Sequence, residues 1–118
     1  VTDYALAVAY AEKLDAALPD PCFATVDPRS AVPPCVLVGH TGGTISTACA
    51  EATDFYAALL LPGPWNADAW KAGAELAPIV YSIVPAERRA YVLYRLALDS
   101  APIPAYLFTW TEDTELWP

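Results

Sequence analysis

The chain reads as a single α+β domain, a four- to five-stranded, mostly antiparallel sheet with two main helices packed on one face. Three observations predict this. Two stretches place apolar residues at helical spacing behind polar capping residues, and two others alternate as strands do. The order of elements, helix, two short strands, strand, helix, strand, strand, groups the strands around the helices. With 118 residues and a mass of 12.6 kDa there is room for one domain. It is assigned to residues 1–110, with 111–118 as an acidic C-terminal tail.

The first helix opens at Thr2, a residue suited to capping, with Asp3 where the helix dipole favours an anion. Leu6, Tyr10, Leu14 and Leu18 recur every fourth residue beside Ala7, Ala11 and Ala17, for about four turns. Pro19, Asp20 and Pro21 end it, because proline cannot continue the hydrogen-bond ladder. Two short extended pieces follow, Cys22 to Val26 and Cys35 to Val38, joined by a turn of Asp27, Pro28, Arg29 and Ser30. The glycine-rich stretch 39–44 is expected to be a flexible loop.

Asp54 to Leu61 is an apolar run stopped by Pro62, Gly63 and Pro64, of a length that favours a strand buried on both faces. Asn66 caps the second helix, with Asp68 in its first turn. Trp70, Ala74, Ala77, Tyr81 and Val84 keep its period, and Lys71 and Glu75 form an i,i+4 pair on the outer side. Pro78 is expected to bend or split this helix, since its ring clashes with the carbonyl four residues back; Pro85 ends it. Tyr91 to Leu98 and Ala105 to Trp110 form an antiparallel hairpin across Ser100 to Pro104. On its second strand Tyr106, Phe108 and Trp110 share one face and Ala105, Leu107 and Thr109 the other. The tail from Thr111, which carries Trp117, is expected to be loose or docked on a neighbouring chain.

Fourteen acidic against six basic residues give a formal charge of −8. That disfavours binding nucleic acid through a basic stripe. An apolar fraction of 56% with only 17% charged residues suggests surfaces that end against partners, hence a subunit. Three cysteines, an odd number, and an opening that carries Asp3 and Glu12 in place of a basic segment and an apolar run point to reduced thiols in a cytoplasm. The longest apolar run, Phe55 to Leu61, is far below the roughly 18 residues of a membrane span, so a soluble protein without a membrane partner is expected.

Few motifs carry chemistry. Val38 to Ser46, with Thr41, Gly42, Gly43 and Thr44 at its centre, resembles the amino-terminal signature of bacterial-type asparaginases, which implies Thr41 as the nucleophile. No Gly-Thr-Asp-Thr segment follows and no later lysine is placed to activate the hydroxyl, so the stretch is read as a connection and not as an amidohydrolase site. It also lacks the lysine of a phosphate-binding loop. Cys22, Cys35, His40 and Cys49 add up to a Cys₃His set, but without the close-spaced pairs that nucleate zinc sites. Glu112, Asp113 and Glu115 are the only carboxylate cluster and read as solvated charges. Trp65, Trp70, Trp110 and Trp117 read as core or interface. No catalytic, cofactor-binding or metal-binding residue is assigned, no cofactor is expected, and the chain is not expected to be an enzyme.

Several stretches, taken in order, resemble the tail terminator (tail completion) proteins of long-tailed phages, especially those of actinobacterial hosts. They are the opening helix ending in Leu18-Pro19-Asp20-Pro21; Pro33-Pro34-Cys35-Val36-Leu37-Val38; Leu61-Pro62-Gly63 running into Asn66-Ala67-Asp68-Ala69-Trp70-Lys71-Ala72; and Ile103-Pro104-Ala105-Tyr106-Leu107-Phe108-Thr109-Trp110. The interior Pro78 departs from that family's second helix. The resemblance implies a structural virion protein at the head–tail junction, assembled in the host cytoplasm. Its subunits would form a homohexameric ring that caps the tail tube, stops its polymerisation and joins the head connector or stopper protein. DNA would pass through the channel without specific binding, which six copies of a chain of charge −8 favour by repulsion. A head-to-tail stopper or adaptor subunit is the alternative within this class. Outside this class the alternatives are an asparaginase-like amidohydrolase using the Thr41-Gly42-Gly43-Thr44 loop and a small ligand-binding adaptor using the aromatic hairpin face.

Overall fold

A computed structural model describes residues 1–47 and 50–115. Its elements in chain order are α1 (Asp3–Ala17), β1 (Phe23–Thr25), a 3₁₀ turn (Pro28–Ser30), β2 (Cys35–Thr47), β3 (Ala50–Leu60), α2 (Ala67–Ile83), β4 (Arg88–Tyr94) and β5 (Ile103–Glu115). The fold is α+β. One five-stranded sheet has the order β1-β2-β3-β5-β4, antiparallel except for the parallel pair β1 and β2. The chain passes from β3 through α2 to β4, and β5 inserts between those two strands.

Both helices begin where side-chain oxygens can satisfy orphan N–H groups. The Thr2 hydroxyl accepts from the Ala5 amide at 3.2 Å, and the Asn66 side chain accepts from Asp68 and Ala69 at 3.0 and 3.1 Å. They pack on one sheet face, where Tyr10, Leu14, Leu76 and Val80 meet Val36, Val38, Phe55, Leu59, Phe108 and Trp110. The opposite face carries a smaller buried cluster of Ala31, Cys35, Leu37, Ala58, Leu60 and Ala105. The run Ala57 to Leu61 is accordingly buried on both sides.

The helix α2 turns differently from the sequence expectation. Its buried stripe is Ala69, Gly73, Leu76 and Val80, one residue off the expected one, and Trp70 and Tyr81 are exposed. Gly73 explains the rotation: a Cβ there would strike the Tyr106 ring and come within 3.2 Å of Leu61, so only glycine lets α2 lie this close to β5. Gly73→Val should therefore cost about 2 kcal/mol or more by overpacking. A urea midpoint equal to that of the parent chain would contradict this packing. Pro78 neither splits nor ends α2, which runs through it to Ile83. It stands on the exposed side, where water can satisfy the carbonyl its missing N–H leaves free.

Two further expectations are corrected. Residues 39–44 are not a loop but the middle of β2, paired with β3 from Cys35↔Leu60 to Thr47↔Ala50 with register shifts at His40/Gly42 and Ile45/Thr47. A continuous ladder to β3 outweighs the entropic cost of the glycines, and the Tyr56 ring lies across Gly39, its cross-strand partner, covering bare backbone. Likewise, Thr111–Glu115 are not a tail. They extend β5 against Ala50–Asp54 of β3, held by a buried 2.7 Å hydrogen bond between the Thr53 and Thr114 hydroxyls. The domain thus continues past residue 110; Trp117 lies outside the described residues. The distal parts of β2, β3 and β5 form a three-stranded arm, and the molecule measures 48 × 31 × 24 Å.

The link between β1 and β2 also differs from a simple turn. It is a longer connection in which Asp27 caps the 3₁₀ turn by accepting from the Arg29 amide at 3.0 Å, and it returns β2 parallel to β1.

Candidate functional site

The arm brings some sequence-predicted residues together and separates others. Thr41 sits beside the register shift of β2, exposed, at a cleft of about 360 Å³ lined also by Asp54, Glu87, Arg88 and Thr111. The Thr111 hydroxyl donates to Asp54 at 2.7 Å and its amide donates to Glu87 at 2.8 Å, so both carboxylates are engaged. No lysine, the activating residue that the asparaginase-like signature calls for, lines the cleft among the described residues.

Cys22 and Cys35 are buried, and Phe23 next to Cys22 pairs with Cys35 across β1 and β2. His40 is exposed five residues further along β2, about 16 Å from Cys35 at strand rise. Cys49 lies outside the described residues, within which no three His, Cys, Asp or Glu side chains gather as metal ligands.

Burial pushes both thiols up to about 11. Burial also raises the phenols of Tyr10 and Tyr56, aided by the Glu112 carboxylate and by Tyr94. Folding therefore favours the neutral forms. Stability is full well below pH 9, where the unfolded thiols are half ionised, and falls as pH rises toward about 11, a range in which only the unfolded chain has lost those protons. Melting temperature should hold to about pH 8.5 and then drop, less so in Cys22→Ala/Cys35→Ala; a melting temperature unchanged to pH 11 would contradict the burial.

The carboxylate cluster is divided by strand alternation. Glu112 turns to the helix face, accepting from the Tyr10 hydroxyl at 2.8 Å and the Trp110 indole at 3.3 Å. Asp113 and Glu115 turn to the other face and are exposed, Glu115 lying 3.1 Å from the α-amino group of Val1. Trp110 is core, stacked on Phe55 at 5.7 Å and meeting Tyr10 edge-on at 5.4 Å.

Trp65 and Trp70 belong to a surface that sequence reasoning did not assemble. Trp65 packs on Tyr91 of β4 at 4.5 Å. Trp70, one turn before Ala74 on α2, is 63% exposed, and Tyr81, Tyr91 and Leu93 are also exposed. Between α2 and β4 runs a groove of about 460 Å³ whose walls include Ala74, Ala77, Tyr81 and Tyr91, with Tyr106 and Phe108 also lining it. Arg89 lies over the Tyr81 ring at 4.4 Å, a cation–π contact. The signal was present as the period Trp70, Ala74, Ala77, Tyr81, but it marks the groove-facing stripe and not the buried one.

Among the described residues no helix is long and apolar enough to cross a membrane. The chain matches no protein-family model and no curated protein.

Proposed function

We propose that the chain is a ring-forming structural subunit of the tail-terminator kind, which caps a phage tail tube, stops its growth and offers its other side to the head connector. The observation that carries this reading is the exposed apolar surface of Trp65, Trp70, Tyr81, Tyr91 and Leu93 beside the α2–β4 groove. On so small a domain, exposed aromatic side chains gathered on two neighbouring elements mark contact with another protein. Two features support the reading: the ordered stretches that resemble that family, and the long strands β2, β3 and β5, whose arm can span to a neighbour.

Light scattering on the purified chain, alone and mixed with phage tail tubes, tests it, with tube lengths measured by electron microscopy. The expected particle has six times the 12.6 kDa mass of the chain, free or at tube ends, and tubes stop lengthening. A chain that stays monomeric in both settings while tubes grow unchecked would refute the proposal.

A further inference from the structure

We infer that copies of this chain join head to tail through two unlike sheet edges, the outer side of β2 in one copy lying along the outer side of β4 in the next. This rests on the ring reading above and names its contact. Among the described residues the strand order leaves β4 with no neighbour beyond it. Among the described residues β1 covers β2 at Cys35–Leu37 and no strand covers that side of β2 from Val38 onward. The opposite border of the arm is met from within the chain: the Thr111 amide donates to Glu87, and Thr2 bridges to Glu115.

Open edges template pairing with other chains and are ordinarily blunted by lysine, proline or charge. From Val38 to Thr47, β2 has no Lys, Arg, Asp, Glu or Pro, and Ile45 is 63% exposed. An edge this bare is suited to being covered.

Charge indicates the cover. The arm, residues 38–55 and 110–115, holds Glu51, Asp54, Glu112, Asp113 and Glu115 and no Lys or Arg. Asp54 stands one strand in from the edge, opposite Gly42, and its carboxylate accepts from the Thr111 hydroxyl of β5. β4 is the complement: it carries Arg88 and Arg89, both exposed, and no carboxylate. Among the described residues neither arginine forms a salt bridge. Acidic arm against basic edge attracts, whereas arm against arm repels, and that selects the head-to-tail register. Joining two unlike edges is a heterologous contact, the kind that closes into rings. Main-chain hydrogen bonds supply affinity, as in strand addition generally.

Sedimentation of the full chain with charge-reversed variants tests the contact, after circular dichroism has established that each variant folds. Arg88→Glu/Arg89→Glu alone and Glu51→Lys/Asp54→Lys alone should each weaken self-association at least tenfold; Asp54→Lys alone replaces the second if that pair does not fold. Mixed in equal amounts, the two variants should reassemble, since the reversed charges at positions 51 and 54 of one then face the reversed charges at positions 88 and 89 of the other. If the parent chain forms rings but either variant does so equally well, or the mixture stays dissociated, the edge assignment is wrong and the ring reading stands. If the parent chain is monomeric alone and on tail tubes, both are overturned.

Discussion

Trp110→Ala should remove about 3–5 kcal/mol of folding stability, the range for emptying a large buried aromatic site. Trp110 stands where the helix-covered body passes into the arm. Its ring lies on Phe55 and against Tyr10, and its indole N–H donates to Glu112. Removing it opens a cavity in the main core and takes one of two donors from a half-buried carboxylate. Trp110→Phe separates the two contributions. It keeps the stacking and loses the indole bond, and should cost about 1.5–2 kcal/mol, the lower part of the scale for a hydrogen bond to a charged group. Urea denaturation measures both. An alanine variant within about 1 kcal/mol of the parent chain would show that this junction is not where the body and arm are fastened.

The opposite pattern is expected at Trp70. With 63% of its surface exposed, its replacement by alanine should change folding stability by no more than about 0.5 kcal/mol. Assembly should suffer far more, because exposed aromatics beside a groove are the residues that dominate interfaces. A loss of about 2 kcal/mol, near 30-fold in affinity, is the expected scale for such a centre. Equilibrium unfolding and sedimentation on the same samples distinguish the two effects. A Trp70→Ala chain that unfolds early but associates normally would place this residue in the fold and not in the contact.

Much of the architecture was legible because its causes are local. Thr2 and Asn66 cap the two helices as their side-chain chemistry predicts, Pro19 follows the end of α1, and the alternation of Tyr106, Phe108 and Trp110 sets which side of β5 faces the helices. What was not legible depends on partners distant in sequence. Gly39, Gly42 and Gly43 look like a loop until β3 is laid beside them, and Thr111–Glu115 look like a tail until Ala50–Asp54 pairs with them. The buried face of α2 lies one residue from the expected one because Trp70 and Tyr81, the large apolar side chains of the expected stripe, are exposed. The contact with β5 is instead made by Gly73, and the large residues were left for the surface. The candidate site was the least legible part: a groove formed by α2 and β4, and two open strand edges, are products of topology and have no motif.

Cryo-electron microscopy of tail tubes capped by the purified chain tests the annular reading most directly. The account predicts a six-fold layer at the tube end, with neighbouring subunits touching through β2 and β4 and with the α2 aromatics covered. Bare tube ends, with the protein dispersed as single 12.6 kDa particles in the background, would contradict it.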